Sequence, residues 1–376
     1  MELESVAEVL RIEKWRLKGA MERKNAFTID DFSPPYILFR KELRHIEKGT
    51  SVFLGDSIEV IRGFPKIRRA FYLKPMLQKH FKDNVVIEEK MNGYNVRAAL
   101  VDGKFVAITR GGFVCPYTTL KLQEDENLLK FLTHNPELVV CGEVVGMENP
   151  YVAHEYPEAE RFGFFCFDLR YKSTNKALPI EERNSLLEKY QLKSVRLLGT
   201  YRTGEIDRIF EIVRELGREG REGVVIKDPE MKLSPIKYTP SETNTSDLAY
   251  AFRYPYEYGR DFSFSRIIRE GYQAAEWEEG EEELETRAMR LGKSILFPMV
   301  RSIRKVMAGG VLTEDFIVRV NSEEEIKALV IFLRRQGINF ILEDSGIDLD
   351  EHIYLIKRLR NSTTDKIKSY LSGRFE

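Results

Sequence analysis

Val85-Val86-Ile87-Glu88-Glu89-Lys90-Met91-Asn92-Gly93-Tyr94-Asn95-Val96-Arg97 reads as a strand, a tight turn and a second strand. Val85, Val86 and Ile87 form an apolar run of β-branched residues, which suits a buried, pleated segment. Asn92-Gly93 is a hairpin signal, because both residues tolerate positive φ. Lys90 falls just before that turn, at the rim of a sheet. A lysine in such a place is ordinarily solvated. Covalent chemistry asks more of it. A free lysine titrates near about 10.4, so burial or neighbouring cations must lower it by about 2–3 pH units, roughly 3–4 kcal/mol. A phosphate-bearing substrate then needs cations and a divalent metal around the reacting phosphorus. These needs direct attention downstream, to strand-borne carboxylates, an aromatic platform and further lysines.

The chain has 376 residues, 43% of them hydrophobic, enough for a large core shared among several domains. Charged residues make up 32%, yet the net charge is only -1. Contact with nucleic acid must therefore come from local basic patches. Scarce glutamine beside abundant Glu, Lys and Arg resembles thermophile usage. Cys115, Cys141 and Cys166 are widely spaced and odd in number, which fits buried thiols in a reducing cytoplasm better than disulfides or zinc. No apolar stretch is long enough to span a bilayer, and the N-terminus lacks a signal-peptide pattern, so a cytoplasmic protein is expected.

Taken in order, residues 1–29 begin as a helix with Val6, Val9, Leu10, Ile12 and Leu17 on its apolar face. Residues 30–35 read as a loop and 36–59 as a small sheet. Arg62, Lys66, Arg68 and Arg69 form a basic cluster, either a solvated face or a phosphate-tracking patch. Residues 85–238 are mostly strands, with a second hairpin at Asp102-Gly103 and helices near 128–132, 179–190 and 207–219. The pattern is α+β with antiparallel strands, without regular β-α alternation. Beyond Thr239 the strands stop, and 265–275, 282–291 and 295–307 look helical. The acidic run 276–285 reads as a solvated helix face. Residues 314–376 read as a small α/β unit: strand 316–320, helix 323–335, strand 340–342, helix 351–359. Its basic tail carries Lys357, Arg358, Arg360, Lys366, Lys368 and Arg374 against Asp365 and Glu376, and either meets RNA or faces solvent.

Six short stretches in order resemble the motifs of the covalent nucleotidyltransferase superfamily of ATP-dependent ligases and capping enzymes. Lys90-Met91-Asn92-Gly93 resembles K-x-x-G motif I, and Thr109-Arg110-Gly111-Gly112 motif Ia. Cys141-Gly142-Glu143 resembles motif III and Phe165-Cys166-Phe167-Asp168 motif IIIa. Glu222-Gly223-Val224-Val225-Ile226-Lys227 is similar to motif IV and Ile236-Lys237-Tyr238 to motif V. The resemblance implies that Lys90 attacks the α-phosphorus of ATP, with Lys227 and Lys237 offsetting phosphate charge and keeping the amine neutral. It implies that Phe167 stacks on adenine, although a core aromatic is the simpler reading of that residue alone. Glu143, a carboxylate inside an apolar strand, needs a partner. The resemblance supplies a ribose hydroxyl or a hydrated Mg2+ or Mn2+ ion, which Glu222 would help hold. Glu89 would recognise the adenine amino group, Asn95 and Arg110 would contact phosphate or ribose, and Arg97 would add a cation.

Within the superfamily the chain resembles the archaeal, RNA-circularising ATP-dependent RNA ligases. Asn92 stands where DNA ligases and capping enzymes usually carry Asp, and the region after Tyr238 reads as helical, without their β-barrel and basic motif VI. The implied organisation is an N-terminal module (1–62), a nucleotidyltransferase domain of the ATP-grasp-like ligase adenylation fold (63–240), a helical dimerisation domain (241–312) and a C-terminal domain (313–376). The implied reaction joins RNA 5′-phosphate and 3′-hydroxyl ends through lysyl-AMP and RNA-adenylate, in a homodimer. The competing readings are a DNA ligase, a capping-type enzyme and a non-catalytic RNA-binding protein.

Overall fold

The structure is a computed structural model and describes residues 3–374. The N-terminal part holds helices α1 (Leu3–Val9) and α2 (Lys14–Glu22) and strands β1 (Ala26–Ile29), β2 (Tyr36–Phe39), β3 (Ser51–Leu54) and β4 (Ile58–Ile61). The four strands form one antiparallel sheet in sequential order. One face of that sheet covers the two helices through Ile37, Phe39 and Val52. Tyr36, Leu38 and Phe53, at alternate positions, pack on the next sheet instead.

The central region contains β5 (Arg68–Arg69), α3 (Leu73–His80), β6 (Asn84–Lys90), β7 (Tyr94–Val101), β8 (Lys104–Thr109), α4 (Pro116–Gln123), α5 (Glu126–His134), β9 (Leu138–Val145), β10 (Gly163–Tyr171), α6 (Ile180–Lys189), β11 (Leu197–Arg202), α7 (Ile206–Arg218), β12 (Gly223–Lys227) and β13 (Ile236–Tyr238). The strands form two sheets, ordered β10-β9-β7-β8 and β11-β6-β12-β13-β5. All pairs are antiparallel except β13 with β5. α7 carries Ile206, Ile209, Phe210, Val213 and Leu216 at helical spacing and buries them on the five-stranded sheet, against Val85, Ile87 and Val224. α5 and α6 cover the outer face of the other sheet.

The turn at Asn92-Gly93 differs from the expected hairpin. β6 and β7 lie in different sheets, so the turn carries the chain from one sheet to the other. Neither residue has positive φ. The glycine is required for another reason: a Cβ there would meet the Val144 carbonyl oxygen at 2.0 Å. The Asp102-Gly103 hairpin is as expected, with φ of 47° and 70° joining β7 to β8.

After β13 come α8 (Ser241–Arg253), α9 (Arg260–Glu276) and α10 (Glu281–Met307). α10 is one helix where two are expected, and Pro298 lies inside it. The last part holds β14 (Thr313–Val320), α11 (Glu323–Arg335), β15 (Phe340–Asp348), β16 (Glu351–Leu359) and α12 (Asn361–Leu371). β16 replaces the helix expected over 351–359. Its alternate residues Tyr354 and Ile356 bury under α11, and it pairs with both β14 and β15 as the central strand. Period-two burial outweighs the helix-forming residues there. In the basic tail, Lys357 pairs with Glu343, and Arg360 is buried on Glu314 and Tyr250; Glu376 lies outside the described residues. Among the described residues, no helix is long and apolar enough to cross a membrane.

Candidate active site

A cavity of about 500 Å3 opens between the two central sheets, lined by residues from all six motif stretches. Strand register explains how they meet. Lys90, at the end of β6, lies opposite Gly223, so Glu222 is next to it across the sheet. Further along, Glu88, Val225 and Lys237 sit side by side on β6, β12 and β13. From the other sheet, Asn95 on β7 is registered against Glu143 on β9. A β-bulge on β10 falls at Phe167, and this residue lines the cavity. Bulges of this kind re-aim a side chain beside a site.

The Lys90 Nζ donates to Glu222 Oε2 at 2.6 Å, with both side chains largely buried. The expected cations are near, but the amine is paired with a carboxylate. Lys237 has no such partner among the described residues. Burial, with Arg69 and Lys90 beside it, lowers this lysine to about 8. Burial pushes the Glu143 carboxyl up to about 7, opposed by Lys90 and reinforced by Glu222. The Asn95 Oδ1 is buried and has no hydrogen-bond partner among the described residues. A buried orphan acceptor facing a cavity is suited to a polar ligand.

Lys227 is differently placed. It is 2% exposed, and its Nζ lies 2.6 Å from Glu88 and 3.0 Å from Asp168 while donating to the Phe167 carbonyl. Arg183 pairs with Glu88 and Arg170 with Asp168. Although burial opposes it, Lys227 and Arg170 hold Asp168 below the usual carboxylate range. Glu89, expected to meet adenine, lines the cavity but pairs with Arg196 at 2.6 Å and Arg221 at 3.2 Å. Arg110 lines the cavity from the motif Ia loop.

Arg97 is not brought to the cavity. It lies two residues beyond Asn95 on the same face, and its guanidinium donates to the carbonyls of Arg62, Gly49 and Thr109. It ties the N-terminal sheet to the central one. Residues the sequence did not single out also line the cavity: Phe64, in edge-to-face contact with Phe167 at 5.3 Å, Tyr151, and Gln336 from the C-terminal part. Gln336 carried no recognisable signal, since it stands alone after a helix far from any motif.

This two-sheet cavity, with its lysines and carboxylates on facing strands, defines a ligase of the nucleotidyltransferase fold. Residues 83–239 match the RNA ligase family, and residues 250–374 match the ligase Pab1020 C-terminal region. A solved archaeal ATP-dependent RNA ligase is similar over the whole of both chains, at 44% identity and a TM-score of 0.94. A structure provisionally described as an ATP-dependent DNA ligase from Aquifex aeolicus is 29% identical, covers 97% of this chain and 100% of its own, and gives a TM-score of 0.89. An uncharacterised protein of Methanocaldococcus jannaschii is 42% identical over 99% of this chain and 96% of its own. The chain belongs to the RNA ligase family that the solved archaeal ATP-dependent RNA ligase represents.

Proposed function

We propose that this ATP-dependent RNA ligase joins 5′-phosphate and 3′-hydroxyl RNA ends, including the ends of one strand, through lysyl-AMP and RNA-adenylate. The observation that carries the reading is Lys90 facing the cavity, paired with Glu222, with Lys237 from β13 of the same sheet and Glu143 from β9 of the other sheet lining the same space. The Lys90 amine attacks the α-phosphorus of ATP; an N–P bond forms, the P–O bond to pyrophosphate breaks, and the amine loses its proton. Glu222 is the carboxylate within reach of that proton. Lys237, free of any carboxylate partner among the described residues, is the cation for the α-phosphate. A 5′-phosphate oxygen of RNA then displaces the lysine, and the 3′-hydroxyl finally displaces AMP.

Phe167 stacks on adenine, with Glu89, Asn95 and Arg110 as the remaining nucleotide contacts. Lys227 acts from within its ion network, and Arg97 supports the β7 segment that carries Asn95. The donor set fits a divalent cation: two carboxylates, Glu143 and Glu222, face one cavity, where burial first and then the neighbouring Glu222 raise the proton affinity of Glu143. No group of three acidic or histidine ligands stands ready among the described residues. Two carboxylates plus substrate phosphates suit Mg2+ or Mn2+. Such an ion would offset phosphate charge during transfer. Glu222, if it were shared with such an ion, would hold the Lys90 ammonium less tightly, which would favour the reactive amine.

The helical region 241–312 is read as a dimerisation domain. Phe264, Met289, Leu296 and Phe297 are exposed on α9 and α10, more apolar surface than a solvated helix pair ordinarily shows. Light scattering at micromolar protein tests it, and a monomer refutes it.

Mass spectrometry after ATP and Mg2+, mapped to a peptide, tests the chemistry. Lys90 is expected to carry AMP, and Lys90→Ala to form no adduct and to fail in ligation of unadenylated RNA. An adduct on Lys90→Ala refutes the nucleophile. Labelled GTP in place of ATP, and nicked DNA in place of single-stranded RNA, separate the capping and DNA-ligase alternatives. The likeness to the Aquifex chain makes the DNA arm worth running.

A further inference from the structure

Adenylation of Lys90 leaves a group of cations unused. Arg69 on β5 is registered against Lys237 on β13. Arg266 and Arg269, on α9, act electrostatically on Arg69 or are acted on by it. The nearby carboxylates are already occupied. Glu222 holds Lys90, Asp247 holds Arg266 at 2.7 Å, and Glu270 holds Arg287 at 2.6 Å. Arg69 donates to the neutral Thr239 hydroxyl at 2.5 Å. Arg269 is 5% exposed; its Nε donates to the Ser265 carbonyl, and its Nη1 is buried with no partner among the described residues. Burial, with Arg69 and Arg266 beside it, brings this arginine down to about 9. A buried cation whose nearest carboxylates, Asp247 and Glu270, are committed to other arginines is costly, and an anionic ligand offsets that cost.

Two aromatic rings flank the cluster. Phe71 follows Arg69 by two residues, and Tyr272 follows Arg269 by three, a neighbouring position on one helix. Their rings meet edge to face at 5.9 Å, and both are exposed. Cations beside exposed aromatic faces are the composition of a single-strand nucleic-acid groove. The leaving pyrophosphate, the other source of phosphate here, has no base to stack.

The geometry points to a phosphate site for the RNA strand at Arg69, Arg266 and Arg269, with Phe71 and Tyr272 as the platform for the adjoining base. This rests on the RNA-ligase reading. Because Arg69 adjoins Lys237, the bound phosphate lies beside the nucleotide cavity, where a strand's 5′-phosphate must arrive to take AMP.

The test uses the full chain with Arg269→Gln and Tyr272→Ala. Three quantities are read: lysyl-AMP formation without RNA, binding of a 5′-phosphorylated single-stranded oligoribonucleotide, and AMP transfer to it. Each variant is expected to bind that RNA about tenfold more weakly and to transfer AMP correspondingly less, while lysyl-AMP still forms. For Arg269→Gln the salt slope should fall by about 0.7, one phosphate contact on a single strand. Its thermal stability should not drop, because an unpaired buried charge has been removed. A 5′-hydroxyl oligoribonucleotide should lose less affinity than its phosphorylated counterpart. The proposal is overturned if RNA binding is unchanged in both variants. It is equally overturned if Arg269→Gln instead weakens reversal of the adduct by inorganic pyrophosphate, which assigns the site to the leaving group. Failure of the parent protein to form lysyl-AMP would be a different failure, that of the ligase reading.

Discussion

Lys227→Met and Lys237→Met should both impair nucleotide transfer, yet they should move stability differently. Lys227 is shared by two buried carboxylates, Glu88 at 2.6 Å and Asp168 at 3.0 Å. Removing one partner from a buried ion pair costs about 3–5 kcal/mol, because a desolvated charge is left behind. Here each carboxylate retains an arginine, Arg183 on Glu88 and Arg170 on Asp168, so the lower end, about 3 kcal/mol, is expected. At about 2–4 °C per kcal/mol for a domain of this size, the first unfolding transition should fall by roughly 6–12 °C. Lys237 has no carboxylate to abandon among the described residues, and burial already disfavours its charge. Lys237→Met should therefore stay within about 1 kcal/mol of the parent, or rise. Scanning calorimetry gives the stabilities, and SDS-resistant AMP adduct gives the chemistry. Adding Asp168→Asn to Lys227→Met should restore part of the loss. If Lys227→Met unfolds at the parent temperature, the lysine is not held by those acids, and the network argument fails.

Three more groups give measurable outcomes. Glu143 is protonated below about 7, so divalent-metal affinity should rise as pH passes through 7, with proton release on binding; calorimetry in two buffers reads it, and Glu143→Gln should abolish the release. The same group predicts that apo stability falls as pH rises from the ordinary carboxylate value toward 7, since the native state holds a proton the unfolded chain has lost; a flat profile would contradict it. The free-enzyme kcat/KM for adenylation should decline above about 8 as Lys237 loses its proton, and Lys237→Arg should move that limb upward. Arg97→Met should destabilise by about 3 kcal/mol or more, on the order of 1–3 for each abandoned carbonyl, and still form lysyl-AMP at permissive temperature. Loss of ATP binding without loss of stability would return Arg97 to the cavity.

The sequence carried the α+β class and the strand positions of most motif residues, because motifs III, IIIa, IV and V lie in short apolar runs with a polar exception and motif I ends one. Those exceptions, Lys90, Glu143, Lys227 and Lys237, all line the cavity. It did not carry the sheet pairing. A glycine after Lys90 reads locally as a hairpin, and only the approach of Val144 from β9 reveals why the position excludes a side chain. Arg97 departs from expectation for a related reason: alternation puts it on the face of Asn95, but the rim of the cavity ends before it. β16 shows the limit of helical propensity, since Leu355 and Lys357 sit in a strand that two neighbours complete. The contact of Gln336 with the cavity depends on docking of the C-terminal part, which no local pattern encodes.

The motifs end at Tyr238, but the geometry of the last one depends on the helices beyond it. The Tyr238 hydroxyl donates to Glu276 Oε2 at 3.0 Å, and Gln273 Nε2 donates to the Thr239 carbonyl at 3.0 Å. The Glu276 carboxylate also accepts from the Lys74 amide at 2.8 Å, at the start of α3, the helix after β5. β13 is only three residues long and β5 two, too short to hold Lys237 by ladder bonds alone. α9 therefore serves as the external brace for both strands and for Lys237 on β13. A helix that positions a cavity-lining lysine from behind, and carries arginines and an exposed tyrosine beside it, is placed to make RNA engagement and nucleotide geometry depend on each other. Glu276→Gln, which keeps the shape and weakens the brace, should slow lysyl-AMP formation although residue 276 lies outside the cavity. An unchanged rate would mean that β13 is held by the sheet alone.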